Sequence, residues 1–312
     1  MQPGSPQGLV FSRRGDHQPG FVAAASRRKA VRVRRGVYAE TKWWNALRPY
    51  ERYDFRVRAA AVALDDPIFA AESAALIHGL PVFGEPDIHL FSLTSLRGYR
   101  RNGVSVHWSE DERTIERIDG IRVTSLLDTT LDLVRVLPLA LGVAVIDAAL
   151  SKGLDLTALR IALATQANAR GCRMAREAID RASAASESVL ESLSRVVIEL
   201  LGYPSPELQV EFLLPGGTAR TDFFWRDAGV VGEADGNGKY FRSARSTDEV
   251  IRAERRREVA LRRTVRQVAR WEWADVTSPA RLDAIRAAAG VTHLRPADPL
   301  IDRALRNRRA RP

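Results

Sequence analysis

Residues 221–241 read TDFFWRDAGVVGEADGNGKYF, and the fold of the second half of the chain turns on them. Two apolar runs flank the turn-forming residues 226–229, and each run is interrupted by carboxylates. Side chains along a strand alternate between faces. Asp222 and Phe224 therefore share one face, Phe223 and Trp225 the other, and Val231, Glu233 and Asp235 lie together. In an antiparallel hairpin Asp222 comes opposite the end of the second strand, near Glu233, with the strands roughly 4.8 Å apart. Two carboxylates so placed can bind one divalent ion, since Mg²⁺ needs only one or two of them and completes its octahedron with water and phosphate. A carboxylate inside an apolar strand is costly unless it is paired or bound to metal. Pairing of Asp222 or Glu233 with Arg220 is the structural alternative.

Outward from this stretch the pattern stays readable. Ser188 to Leu201 has an apolar stripe at helical spacing (Val189, Leu193, Val196, Val197, Leu200), ended by Gly202 and Pro204. Ser188 and Glu191 form a capping box, so Glu191 either only caps its helix or also reaches the carboxylates. ELQVEFLL (207–214) reads as a strand, and Gly216-Gly217 turns it into the hairpin. After Glu233, Asp235-Gly236 and Asn237-Gly238 are turn dipeptides. Asp235 is either a further metal ligand or a turn former. Lys239 either returns an ammonium to the site or is a solvated lysine. The glycines of DGNG lack the spacing of a dinucleotide fingerprint.

STDEVIRAERRREVALRR (246–263) is a helix with a capping box at Ser246 and Glu249, and Glu258 and Arg262 stand at the spacing of an ion pair. Arg252, Arg255 and Arg256 have fewer intrahelical partners and are candidates for phosphate contacts. VARWEWADV reads as the last core strand, with Trp271 and Trp273 packed on one face.

The first half is built differently. The first ~20 residues are rich in Pro, Gly and Gln and are expected to be poorly ordered. AVRVRRGVYAE then reads as a short basic strand and turn, either the wing of a winged helix or an edge strand guarded by charge. Helices follow in FRVRAAAVALDD and AAESAALIHGL, the second capped by Gly79, and strands in PDIHLFSLTS, GVSVHWSE and IDGIRVTS, the last entered by an Asp-Gly turn. LLDTTLDLVRVLPLALGVAVIDAAL is helical and interrupted by Pro138, and LDLTALRIALATQ is one more helix. The polar, alanine-rich residues 168–186 read as the best candidate linker, with part of the segment open to a helical reading.

Composition bounds the function. The 312 residues are 45% apolar and 28% charged, as in a folded protein, and no apolar run is long enough to cross a bilayer. The reading is a cytoplasmic protein with no membrane partner. The single cysteine, Cys172, excludes an internal disulfide and a cysteine-rich zinc site, and is read as structural rather than half of a Cys–His pair. The five histidines are scattered along the chain. The net charge of +10 is concentrated in blocks at 26–36, 252–263 and 303–312, which points to a nucleic-acid partner over simply solvated basic faces.

Two resemblances sharpen these readings. RVRRGVYAE, ESAALIHGLP, DGIRVTSLLDTTLDLVR and DAALSKGLDLTALRIAL, in that order, resemble the antitoxins of AbiE-type (type IV) toxin–antitoxin systems and the actinobacterial proteins that share their antitoxin-like region, over about residues 25–165. That likeness implies a DNA-binding winged helix at the start of the region and a cognate toxin as a partner, and Arg32, Arg34 and Arg35 of the basic strand are the candidate nucleic-acid contacts there. SVLES, PELQV, TDFFW, GEADGNGKY, AERRRE and RWEWADV are together similar to the PD-(D/E)xK nuclease fold of very-short-patch-repair endonucleases, over about residues 186–278. By motif position Glu191 matches the acid on the first helix, Asp222 the hairpin aspartate and Glu233 the glutamate of the (D/E)xK element. Asp235 stands where that element normally has lysine.

The expected architecture is therefore α/β (α+β): residues 1–24 poorly ordered, a winged-helix-containing antitoxin-like region over 25–165, a linker over 166–185, a PD-(D/E)xK restriction-endonuclease-like domain over 186–290 and a basic tail over 291–312. The expected function is metal-dependent hydrolysis of nucleic-acid phosphodiesters, with DNA as the substrate. Asp222, Glu233 and Asp235 would hold Mg²⁺ or Mn²⁺, and Glu191 and Lys239 would complete the catalytic set. The alternative is a non-catalytic DNA-binding transcriptional regulator or antitoxin.

Overall fold

The computed structural model describes residues 9–11, 29–94, 97–215, 217–236 and 258–306, within which helices and strands mix in the α+β manner. The described chain falls into two units. One runs to Leu133 and includes Ile161–Ala169; the other comprises Val134–Arg160 and Arg170–Arg306.

In the first unit the basic stretch forms a hairpin, β2 (Ala30–Arg34) and β3 (Val37–Glu40), turned at Gly36 with φ +78°. Within the first ~20 residues Leu9–Phe11 form β1, which pairs antiparallel with β3; the rest of that stretch, and the residues preceding the hairpin where a helix-turn-helix would sit, lie outside the described residues. Val37 and Ala39 pack with Ala59, Trp43, Trp44 and Phe55 from α1 (Thr41–Ala46) and α2 (Pro49–Ala63). Pro49 starts α2, and Glu51 accepts the Arg48 N–H at 2.7 Å, closing its first turn.

A six-stranded mixed sheet follows in the order β6-β7-β5-β4-β9-β8, from β4 (Ile68–Phe69), β5 (Ile88–Phe91), β6 (Tyr99–Arg101), β7 (Val104–His107), β8 (Ile115–Ile118) and β9 (Ile121–Thr124). Asp119 and Gly120, both at positive φ, turn β8 into β9, and Gly79 ends α3 (Ala71–His78) at φ +70°. Pairing of β5 with β7 brings together two histidines distant in sequence. The buried His89 ring and the half-buried His107 ring stack 4.9 Å apart, with Nδ1 of the first 2.6 Å from Nε2 of the second, and His89 Nε2 lies 3.3 Å from Glu72. Helix α4 (Leu126–Val134) ends before Pro138, and α6 spans Leu156–Ala164.

The second unit is centred on α5 (Leu139–Leu150), apolar on nearly all sides and almost wholly buried. Residues 168–186, read as a linker with room for a helical part, contain a packed helix, α7 (Cys172–Asp180), whose Cys172, Ala175, Ala178 and Ile179 recur at helical spacing and are buried. Small residues at those positions hid the stripe. The buried Asp147 of α5 accepts the Ser183 N–H at 2.7 Å and pairs with Arg195 at 2.8 Å, tying that segment down. Residues 291–306 are also docked: Asp298 N–H donates to Leu200 at 2.7 Å, and Val291 and Ala304, on α12 (Ile301–Ala304), are buried.

Helix α8 (Val189–Leu200) is capped by Ser188 and precedes β10 (Glu207–Leu214), β11 (Gly217–Trp225) and β12 (Val230–Ala234), a three-stranded antiparallel meander. Helical residues 258–264 (α9) then lead to β13 (Gln267–Trp271), which joins β12 in parallel. The order along the chain is thus α-β-β-β-α-β, with the sheet ordered β10-β11-β12-β13. Phe224, Val231, Leu214 and Ala219 pack against Leu261 and Val265, so α9 covers one face. On the other face the buried Trp271 donates its indole N–H to Ser194 of α8 at 2.7 Å. Gly232 is required there, because a Cβ at this position would lie 2.4 Å from the Trp271 ring. Arg286, from α11 (Pro279–Ala289), is fully buried between the rings of Trp225 and Trp271, at 3.9 and 3.8 Å. Among the described residues, no helix is long and apolar enough to cross a membrane.

Candidate functional site

Strand register assembles a polar row across the four-stranded sheet. Phe223 pairs with Gly232, so the next position outward sets Asp222 opposite Glu233. On the other side, the pairs Leu208↔Phe223 and Val210↔Thr221 bracket Gln209 opposite Asp222. Glu233 is registered with Arg270 of β13. Gln209, Asp222, Glu233 and Arg270 all line one cleft of about 750 Å³, and the first turn of α8 supplies Ser188, Leu190 and Glu191 to its wall.

The hydrogen bonds hold the carboxylates in defined poses. Ala234 N–H donates to Asp222 Oδ2 at 2.8 Å, fixing that side chain against β12. Glu191 is 7% exposed. Its Oε1 accepts from Ser188 Oγ at 2.7 Å, and its Oε2 from Glu187 N–H at 2.9 Å and from Gln209 Nε2 at 2.8 Å. Glu191 thus caps its helix and faces the cleft at once. Burial pushes its carboxyl above the usual carboxylate range despite the donors from Glu187 and Ser188, and the negative charges of Asp222 and Glu187 add to the rise.

The surrounding charges differ in part from the sequence expectations. Arg220 pairs with Glu187 rather than with Asp222 or Glu233. Asp235 follows the last residue of β12. Its N–H donates to Trp271 O at 2.9 Å, and its Oδ2 accepts at 3.3 Å from Arg270, itself a lining residue of the cleft. Arg270 also reaches Glu258 at 3.5 Å, while Glu258 makes the expected pair with Arg262 at 3.0 Å. Lys239 and the arginines 252, 255 and 256 lie outside the described residues. Trp271 and Trp273 do not share a strand face. The strand stops at Trp271, Glu272 caps the short helix α10 (Trp273–Val276), and Trp273, 43% exposed, turns to the cleft.

Among the described residues no group of three or more His, Cys, Asp and Glu side chains forms a ready metal cage. The donors of the cleft are hard carboxylate oxygens, which suit Mg²⁺ or Mn²⁺ and not a soft ion. In the first unit Arg32 and Arg35 are exposed on the hairpin, whereas Arg34 is half-buried. Burial and the neighbouring Arg56 guanidinium both pull the Arg34 pKa down. Gln209 and Arg270 are the cleft residues that sequence reasoning missed. Both reach it from strands that flank the hairpin, and only their register places them there.

No family model matches the chain. Over 163 residues it is 31% identical to the protein named as uncharacterized protein Rv2248 of Mycobacterium tuberculosis (strain ATCC 25618 / H37Rv), and to the one named as uncharacterized protein MT2308 of Mycobacterium tuberculosis (strain CDC 1551 / Oshkosh). In each case the match covers 52% of this chain and 59% of the relative, so the chain spans about three-fifths of the length of the curated relatives it matches.

Proposed function

We propose that the cleft is the active site of a Mg²⁺- or Mn²⁺-dependent nuclease acting on DNA, and that the α-β-β-β-α-β unit around it is a PD-(D/E)xK domain of the very-short-patch-repair type. The observation that carries the reading is the register of β11 and β12, which sets Asp222 opposite Glu233 in one cleft, with the buried Glu191 close enough for the Asp222 charge to raise its pKa. Asp222 and Glu233 would hold the ion, whose chemistry is to lower the pKa of water and neutralise phosphodiester charge. Glu191, its proton affinity raised by burial, is the group suited to take a proton from an attacking water. Arg270, which lines the cleft as Arg220 also does, would face the charge developing on the phosphate. Asp235, which occupies the usual lysine position, would hold Arg270 in place.

Purified protein is expected to nick supercoiled plasmid in Mg²⁺ or Mn²⁺ and to be inert in EDTA. Equal breakdown with and without chelator, or none with either ion, rejects the reading. Within it, Arg270→Ala should lower the cleavage rate by about 10²-fold with Arg270→Lys partly active, measured as single-turnover rates; equal rates for the alanine variant and the parent would remove Arg270 from the site.

Ion binding should also be visible in stability. A raised carboxyl pKa means the folded state holds the Glu191 proton more tightly than the unfolded chain does. Its contribution to stability is therefore full below the ordinary value of 4.5 and is lost as pH rises through the raised folded value. The metal-free protein should lose stability over that interval, and Mg²⁺, which needs ionised carboxylates, should restore it. The Mg²⁺-induced rise in Tm is thus expected to grow as pH increases from 4.5, and a rise independent of pH would contradict the assignment.

A DNA-binding regulator of a type IV toxin–antitoxin system, with a cognate toxin as partner, is the second reading. Arg34 favours it: the arginine is half-buried and opposed by Arg56, a pairing that an anionic partner relieves. Retained, salt-sensitive DNA binding with no cleavage in either metal would put it ahead.

A further inference from the structure

Gln209 has a backbone that its strand does not need. Its φ is +53°, in the left-handed region that costs a residue with a Cβ. Four other described non-glycine residues share a positive φ: Asp66, Asn102 and Asp119 have short polar side chains suited to it, and Ala71 opens helix α3. Among the described residues Gln209 alone lies inside a strand. The usual reason for such a kink is an inserted residue, but the pairs on either side, Leu208↔Phe223 and Val210↔Thr221, keep one register and nothing is inserted. What the kink does is aim the side chain. Gln209 Nε2 donates to Glu191 Oε2 at 2.8 Å, and the residue lines the cleft beside Asp222.

From this geometry we infer that Gln209 is a positioning residue, held in a strained backbone so that its amide keeps the Glu191 carboxylate turned toward Asp222. The inference rests on the reading of the cleft as a metal site. Without the amide, Glu191 Oε2 keeps the Glu187 N–H and Oε1 keeps the Ser188 hydroxyl. Helix capping therefore survives, while the hold toward β10 is lost. Glu191 acts on the ion's water and beside its ligand Asp222, so it is itself an outer partner of the metal site, and disturbing such partners typically costs about 10–100-fold in ion affinity or activity.

The role separates from packing because function and stability respond in opposite directions. Gln209→Gly relieves the backbone and deletes the amide; Gln209→Met keeps the bulk and the strain but deletes the amide. Both are to be compared with the full chain by thermal unfolding in EDTA and by calorimetric titration with Mn²⁺. The glycine variant should unfold at the same or a higher temperature than the parent, and both variants should bind Mn²⁺ at least about 10-fold more weakly. Undiminished Mn²⁺ affinity in Gln209→Met, or a glycine variant that melts earlier, overturns the inference and leaves Gln209 a packing residue. If the parent chain itself takes up no Mn²⁺, the metal-site reading fails and the inference goes with it, a result distinct from a parent that binds and variants that bind equally.

Discussion

Replacing Asp222 with asparagine is expected to lower metal-dependent cleavage on the order of 10³-fold or more, about 4 kcal/mol of transition-state stabilisation, while leaving the fold intact. The two halves of that expectation have separate causes. Asparagine keeps a side-chain oxygen in place of Oδ2, so the 2.8 Å hydrogen bond from Ala234 N–H and the junction of β11 with β12 persist. The negative charge opposite Glu233 is removed, and with it one of the two carboxylates that the ion needs. The same charge helps to hold the Glu191 pKa up, so its loss should also let Glu191 ionise more readily. In EDTA at neutral pH the variant should be at least as stable as the parent. Single-turnover rates and melting curves on the same preparations decide the matter. A variant that still cleaves at a tenth of the parent rate would remove Asp222 from the chemistry, and one that fails to fold would mean its charge is structural.

Asp147→Ala should strongly destabilise the second unit, costing about 3–5 kcal/mol. Asp147 is 1% exposed and satisfies two groups at once, the Arg195 guanidinium at 2.8 Å and the Ser183 N–H at 2.7 Å. Alanine leaves a largely buried cation, which still donates to the Arg181 carbonyl, without its partner carboxylate and a backbone donor without its acceptor, and both penalties are desolvation costs. The effect should spread along residues 181–187, which connect α7 to α8 and carry Glu187 into the cleft. Asp147→Asn keeps an acceptor for Ser183 and should cost less than alanine. Urea unfolding of the three proteins measures the difference. A loss under about 1 kcal/mol for alanine would show that Arg195 finds another partner.

What could be read from the sequence was what short-range chemistry determines. Ser188 caps its helix, Gly79 ends another, and Asp119-Gly120 and Gly36 turn hairpins, because each of these needs only a few consecutive residues. The face-sharing of Asp222 and Phe224 followed from strand alternation alone. The remainder depended on register between strands that are not neighbours in sequence. Arg270 is registered beside Glu233 across a parallel pairing separated by more than 30 residues, and no local pattern announces it. Gln209 looked like one polar residue in an ordinary strand, since a backbone angle leaves no mark on composition. His89 and His107 appeared scattered because β5 and β7 meet only in the sheet. In residues 168–186 alanine and cysteine formed the buried stripe of α7, too small to register as an apolar face.

The most direct test of the central claim is the position of a bound Mn²⁺, found by anomalous diffraction from crystals grown with the ion. It does not depend on choosing the right nucleic acid. The account predicts one peak within bonding distance of carboxylate oxygens of Asp222 and Glu233, absent in Asp222→Asn crystals. No peak in that cleft at saturating Mn²⁺, or the same peak in the asparagine variant, would contradict it.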